Sequence, residues 1–264
     1  MILCPSLILI AHLCAAGTGA ETPPAAPRAL TPADRIVFFG DSITRLAFCP
    51  DVPNANVPLG WATMLRADLD ATLGGAPELI NAGVGGDTVI DLAARVDADV
   101  VAQRPTVVTI MVGLNDTWRY ARDPARNPEN HSYVRPPAYR ATLTAILAKV
   151  RGTGARVILC TPTLLGEAPS AFDDPKNVLN VRLNRYSDIA RQLAVEQGVE
   201  LLDLRAALIE HERATNVEGK PNGLLTLPDG VHLNPAGQRF IADRMLAQLM
   251  RHAGPTTRPA PGNP

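Results

Sequence analysis

A chain of 264 residues with 46% hydrophobic composition is long enough to bury one substantial core. Its formal net charge is −1, and no run of basic residues could follow a phosphate backbone, which argues against nucleic acid as a partner.

The chain begins "MILCPSLILIAHLCAAGTGA", an apolar stretch followed by small residues. Residues 1–20 read as a secretion signal, with Thr18-Gly19-Ala20 offering a small-x-small cleavage site. No Lys or Arg precedes the apolar core, and the stretch is shorter than the roughly 20 residues a membrane span needs. A lipid anchor would use Cys14, but His12 and Leu13 before it are too bulky for a lipoprotein cleavage site. Export without stable membrane insertion is the expectation. Such a signal would leave Cys49 and Cys160 as the cysteines of the mature chain, lacking metal-ligand spacing, and sequence cannot say whether they lie within disulfide reach.

Residues 21–34, "ETPPAAPRALTPAD", form a proline-rich linker, and residues 254–264 form a low-complexity tail. Both are expected to be mobile. Residues 35–253 lie between them as one domain without internal repeats. Its candidate strands are Ile36–Phe39, Glu78–Asn81, Val107–Val112, Arg156–Cys160 and Glu200–Leu204. Val89, Leu92, Ala93, Val96 and Val100 follow helical spacing between the second and third strands. Leu143, Ile146, Leu147 and Val150 do so between the third and fourth. Asp87 can cap the first of these helices, and Asn234 with Pro235 opens the last helix of the domain. Near-continuous apolar strands alternating with helices predict an α/β fold, a parallel sheet covered on both faces.

Ligands of such sheets sit beyond the carboxyl ends of the strands. "GDSIT" follows the first strand there, "NAGVGGDT" the second and "GLNDTW" the third, while "DGVHLNP" precedes the last helix. Several familiar motifs fail. Thr88 occupies the place of the third glycine in a dinucleotide fingerprint, no P-loop pattern exists, and Thr44 stands where G-x-S-x-G needs glycine. The five histidines are scattered, with no H-E-x-x-H, so neither a metal nor a cofactor is expected.

What remains is a serine and an Asp-x-x-His. A serine hydroxyl attacks only when a base takes its proton, and that base must itself be oriented. His232 can be the base and Asp229 its orienting group, since a tight Asp-Gly turn can fold the carboxylate back onto the imidazole. Taken singly, "DGVH" is also an ordinary turn, Asn115 a loop residue satisfying backbone groups, and Gly83 a steric necessity. Their joint occurrence, each beyond its own strand, carries the argument.

With Gly40-Asp41-Ser42, Asn81-Ala82-Gly83 with Gly86, Gly113-Leu114-Asn115-Asp116 and Asp229-Gly230-Val231-His232 in this order, the sequence resembles the SGNH hydrolases, also called the GDSL esterase/lipase superfamily. The resemblance runs from Ile36 to the final helix. It implies a flavodoxin-like three-layer α/β/α sandwich on a parallel five-stranded sheet. It also implies Ser42 as nucleophile, His232 as general base and acid, and Asp229 as its partner. The implied oxyanion hole is the N–H groups of Ser42 and Gly83 with the Asn115 amide, and Asp41 and Asp116 would brace the loops.

The stretch "VVTIMVGLNDTWRYARDP" is most similar to the bacterial carbohydrate acetylesterases of this superfamily, the acetylxylan esterase-like branch, largely through Trp118 and Arg119. Trp118 can stack on a sugar face or pack within the helical cover, and both remain open. The function expected is a secreted esterase of short acyl, chiefly acetyl, groups on carbohydrate. A lysophospholipase- or thioesterase-like hydrolase of longer chains, or an acyltransferase on the same fold, is the alternative. The identity of the alcohol and the oligomeric state are left open.

Overall fold

The computed structural model describes residues 29–48 and 59–251. The expected signal, most of the linker, Cys49 and the tail lie outside them.

Five strands form one wholly parallel sheet: β1 (Arg35–Gly40), β2 (Glu78–Gly83), β3 (Val107–Met111), β4 (Arg156–Cys160) and β5 (Glu200–Leu202). Their spatial order is β2-β1-β3-β4-β5, so β1 lies between β2 and β3 and the chain reverses its winding between β1 and β3. Register brings Gly40 opposite both Gly83 and Met111, and the loops after β1, β2 and β3 therefore leave the sheet side by side. This is the flavodoxin-like order, with a crevice at the β1/β3 switch point.

Alternate residues of each strand enter separate cores. Ile36 and Phe38 of β1, Met111 of β3 and Cys160 of β4 pack with Trp61, Leu65 and Leu69 of α2 (Trp61–Leu73). Leu204 and Leu208 of α6 (Leu204–Thr215), with Ile241 and Met245 of α7 (Pro235–Met250), complete that layer. On the other face, Val37, Phe39, Val108 and Ile110 meet Leu92 and Val96 of α3 (Val89–Asp99), Leu143 and Leu147 of α4 (Pro136–Arg151), and Tyr186 and Leu193 of α5 (Val178–Gln197). A strand buried on both faces has no polar side to spend, which explains the uninterrupted apolar run of β1. A four-residue helix, α1 (Ser42–Arg45), follows β1 directly.

Three expectations need correction. The cap of α3 is Thr88, not Asp87: the Asp91 carboxylate accepts from the Thr88 N–H and hydroxyl, both at 3.0 Å, and so closes the first turn. Asp87 is bound instead by Arg95, Nε to Oδ2 2.7 Å. The fifth strand ends at Leu202, because the Asp203 carboxylate accepts from the Ala206 N–H and opens α6 one residue later. The end of the expected linker belongs to the domain. Leu30 is buried, and the buried Asp34 carboxylate takes the Thr31 N–H at 2.7 Å and the Thr106 hydroxyl at 2.6 Å. Asn234 does cap α7 as expected, accepting from the Gly237 N–H at 3.0 Å ahead of Pro235.

Candidate active site

β1 delivers the serine. The chain leaves Gly40, turns at Asp41 and enters α1 with Ser42 at its first position, where a backbone N–H has no intrahelical acceptor. Asp41 caps this turn by accepting from the Ile43 N–H at 3.0 Å. Burial pushes the Asp41 carboxyl up to about 7, against the opposing pull of the Ile43 N–H and His232.

From the far end of the chain, the loop ahead of α7 brings His232 onto this serine. His232 Nε2 lies 3.0 Å from Ser42 Oγ, and Nδ1 lies 2.6 Å from Asp229 Oδ2. The other oxygen of Asp229 accepts the N–H groups of Val231 (2.9 Å) and His232 (3.0 Å), so the Asp-Gly turn folds the carboxylate back as the sequence suggested. Burial opposes ionisation of Asp229, yet the imidazole and these two N–H groups outweigh it and hold the carboxyl below its usual range. An acceptor thus sits behind the imidazole while its other nitrogen addresses the serine. Nδ1 carries the proton in that arrangement, and Nε2 is free to accept one.

The third group is set by the loops after β2 and β3. Asn115 is buried in a short 3₁₀ turn, Asn115–Thr117, and its amide donates to the Asp87 carbonyl at 3.0 Å. Asp116 beside it is fully buried and accepts from the Val89 N–H at 3.0 Å, with burial holding its carboxyl well above the usual range. Asp41 and Asp116 therefore brace the two loops, one at α1 and one at the start of α3. Asn115 is thus tied to Asp87, and a Cβ placed on Gly85, two residues earlier, would lie 4.0 Å from the Ser42 Cβ. The segment Gly85–Asp87 therefore approaches the serine at one end and holds the Asn115 amide at the other.

Gly83 behaves differently from its expected part in the oxyanion hole. Its N–H donates to Asn81 Oδ1 at 2.9 Å, inside its own turn. Its lack of a side chain is demanded by packing, since a Cβ there would stand 2.2 Å from the Arg45 N. Among the described residues the N–H groups of Gly85 and Gly86 have no protein acceptor, and Gly86, next to the Asp87 that anchors Asn115, is held at φ +83° where other residues are strained. The spacing of the second block could have signalled it, because it contains three glycines and Gly86 was noted as part of the match.

Trp118 is half-buried at the end of the 3₁₀ turn and makes no ring contact among the described residues. Arg119 turns back on the protein, its guanidinium donating to the Gly86 carbonyl at 3.3 Å. Sequence reading missed Arg95, which ties the site's floor together. It donates to the carbonyls of Gly40 and Ala82, both at 2.8 Å, and pairs with Asp87. No local pattern announces it, for its partners lie on two different strands. Among the described residues no group of three His, Cys, Asp or Glu side chains could hold a metal ion, and no helix is long and apolar enough to cross a membrane.

A serine, histidine and aspartate joined in line at the switch point of a flavodoxin-like sheet define a class, the hydrolases that work through an activated serine. The chain belongs to the GDSL-like lipase/acylhydrolase family, whose model matches residues 38–240, and it is a carboxylic ester hydrolase. It is 30% identical over 223 residues to an acetylxylan esterase of Geobacillus stearothermophilus, covering 82% of this chain and 94% of that one. It is 28% identical over 221 residues to an isoamyl acetate-hydrolyzing esterase 1 homolog of Rattus norvegicus, covering 78% of each. Among solved structures, the acetyl xylan esterase AlAXEase superposes with a TM-score of 0.69 at 32% identity, over 81% of this chain and 98% of that one. The acetylxylan esterase Axe2 from Geobacillus stearothermophilus gives 0.65 at 27% identity, over 83% and 95%. Catalytic mutants of Axe2 have been solved with alanine in place of a serine, an aspartate or a histidine.

Proposed function

We propose that this protein removes short acyl groups, chiefly acetyl, from carbohydrate by an acyl-enzyme route on Ser42. The observation that carries the reading is the unbroken line from Asp229 through His232 to Ser42, with contacts of 2.6 and 3.0 Å. Ser42 Oγ attacks the ester carbonyl as Nε2 takes its proton, forming a tetrahedral intermediate. That proton then passes to the departing sugar oxygen, leaving Ser42 acylated. Water repeats the sequence from the other side: it gives a proton to Nε2, attacks the acyl carbonyl, and releases acetate as the proton returns to Ser42.

Negative charge develops on the carbonyl oxygen in both steps. The Ser42 N–H, at the first position of α1, and the Asn115 amide are two donors for it. The engagement of Gly83 with Asn81 makes Gly86 the backbone donor of the second loop in this reading. Arg119 then supports that loop through the Gly86 carbonyl, leaving Trp118 to meet the sugar.

The acetyl group and the carbohydrate come from the nature of the relatives, among which acetylxylan esterases recur. Export of the mature chain follows from the N-terminal pattern, and a polymer that cannot enter the cell suits an exported enzyme. The test is acetate release from a panel of acetylated xylans, pectins and peptidoglycan, run beside an aryl ester series of rising acyl length. Release from one of these glycans, a fall in rate beyond the shortest acyl chains, and loss of about 10⁶ in turnover in Ser42→Ala are expected. A rate that climbs with chain length, or a Ser42→Ala variant as fast as the parent, overturns the reading.

A further inference from the structure

The histidine of the site stands on a segment with little regular structure. Between α6 and α7 the described chain has one isolated antiparallel bridge, Thr226 with Leu233, to hold residues 216–234 in shape. Yet His232 must be held to within a fraction of an ångström of the serine for proton transfer to work. Something outside the loop has to define it.

That something is Glu167, which lies in the loop following β4, some sixty residues away in sequence. Its side chain is wholly buried, and every hydrogen bond it accepts comes from the base-bearing loop. Oε2 takes the Leu224 N–H at 2.8 Å. Oε1 takes the Leu225 N–H at 2.7 Å, the Thr226 hydroxyl at 2.8 Å and the Thr226 N–H. The surrounding backbone repeats the connection: the Glu167 N–H donates to the Pro221 carbonyl at 2.8 Å, and the Gly166 N–H to the Gly230 carbonyl at 2.7 Å, between Asp229 and His232.

Three consecutive backbone N–H groups turned onto one carboxylate form a concave nest, a conformation that open loops do not keep unless an acceptor holds it. Threonine 226, the last residue of the nest, is the one that bridges Leu233, and the Leu227 N–H donates to the His232 carbonyl at 2.7 Å. The path from the Glu167 carboxylate to the imidazole is therefore two backbone steps long.

We infer that Glu167 is a positioning residue for the hydrolysis: its buried carboxylate moulds residues 224–226, and through them sets His232 against Ser42. The inference rests on the triad reading above. Removing the carboxylate leaves three N–H groups and a hydroxyl without their acceptor, and the nest opens. The imidazole then samples orientations in which Nε2 misses the serine. Glu167 is wholly buried and so out of a substrate's reach, and turnover is therefore expected to fall with KM little changed.

The test compares Glu167→Gln and Glu167→Ala with the parent on an acetyl aryl ester, well below the melting temperature of each variant. Glu167→Gln keeps the volume but places an amide NH₂ or a neutral oxygen where the anion accepts. It is expected to lower kcat about tenfold with KM within threefold. Two further readouts separate positioning from general loosening. The low-field proton resonance of the short Nδ1–Asp229 hydrogen bond should broaden or vanish in Glu167→Gln. In a His232→Ala background, Glu167→Gln should cost less than twofold, because the residue through which it acts has gone. Turnover within twofold of the parent with the resonance intact overturns the inference, and so does a tenfold loss repeated in the His232→Ala background. Should Glu167→Ala fail to fold, Glu167→Gln decides. If His232→Ala and Ser42→Ala keep parental rates, the triad reading itself has failed, a result distinct from an inert Glu167.

Discussion

The two halves of the site are built by opposite means. Ser42 lies just beyond an inner strand of the sheet, with β1 flanked by β2 and β3 in register and α1 beginning at the serine itself. Its position is a consequence of the sheet. His232 stands 190 residues later on a loop whose shape comes from a buried carboxylate and its own caps, and its imidazole remains 29% exposed beside an Asp229 that is 45% exposed. A nucleophile must not move, because its attack angle is fixed by the oxyanion donors around it. A base that shuttles a proton twice tolerates a softer mount, provided the mount has one preferred shape. The difference teaches that the serine end should respond to substitution through chemistry, and the histidine end through chemistry and stability together.

The sharpest way to break this contrast lies at the serine end. Asn115 donates one amide hydrogen to the Asp87 carbonyl, and in the proposed mechanism the other meets the reacting carbonyl. Asn115→Ala should lower kcat by about 10² to 10³ with KM within a few-fold, since a donor aimed at the oxyanion bonds harder in the transition state than in the ground state. A rise in KM with kcat intact would make it a substrate-binding residue. A matching fall in melting temperature without loss of turnover would leave it a loop fastener.

A smaller effect is expected one residue further out. If Arg119 supports the Gly86 carbonyl, Arg119→Ala should lower kcat about threefold to tenfold and hardly change KM for a small aryl acetate, by loosening the segment between Ser42 and Asn115. Were Arg119 instead to grip the sugar, KM for an acetylated glycan would rise while kinetics on the aryl ester stayed parental. Steady-state kinetics on both substrates tells the two apart.

The smallest effect belongs to the histidine end and is one of stability. Glu212 on α6 is buried near Glu167, and neither of its carboxylate oxygens has a hydrogen-bond partner among the described residues. Burial, and then the neighbouring Glu167, push its carboxyl from 4.5 up to about 7. A raised acid in the folded state contributes stability that is complete below pH 4.5 and is lost as pH rises through about 7. Glu212→Gln removes that loss. Its melting temperature relative to the parent should therefore be higher at pH 8 than at pH 5 by a few degrees, on the order expected for about 1 kcal/mol in a chain of this size. The same difference at both pH values would mean that Glu212 does not titrate in this window.

Much of this site is legible in the sequence. The four polar blocks each follow a feature that sequence can show: an apolar run that stops, a glycine cluster, a second apolar run, an Asp-Gly turn ahead of a capped helix. Helical periodicity marks α3 and α4, which bury one face, and short apolar runs mark all five strands. Neither marks α2, α5 or α6, nor shows that Leu204 opens a helix rather than closing a strand. There an aspartate's choice between ending one element and capping the next is made by its partners, Arg191 and Thr161, which come from elsewhere in the chain.

By itself, then, the sequence determined the class of fold and the order of the blocks, and it singled out Ser42, Asp229, His232 and Asn115 as candidates, the first three of which the fold brings into contact. These follow from local rules: hydrophobic period, turn chemistry, and the need of a hydroxyl for a base. Only the tertiary structure decided that the Gly83 N–H is engaged within its own turn, that Arg119 faces inward, and that Glu167 and Arg95 tie together segments around the site. Those choices depend on which hydrogen-bond partners arrive from distant segments. A buried donor or acceptor must be satisfied wherever the fold happens to bring one, and no spacing along the chain records that meeting.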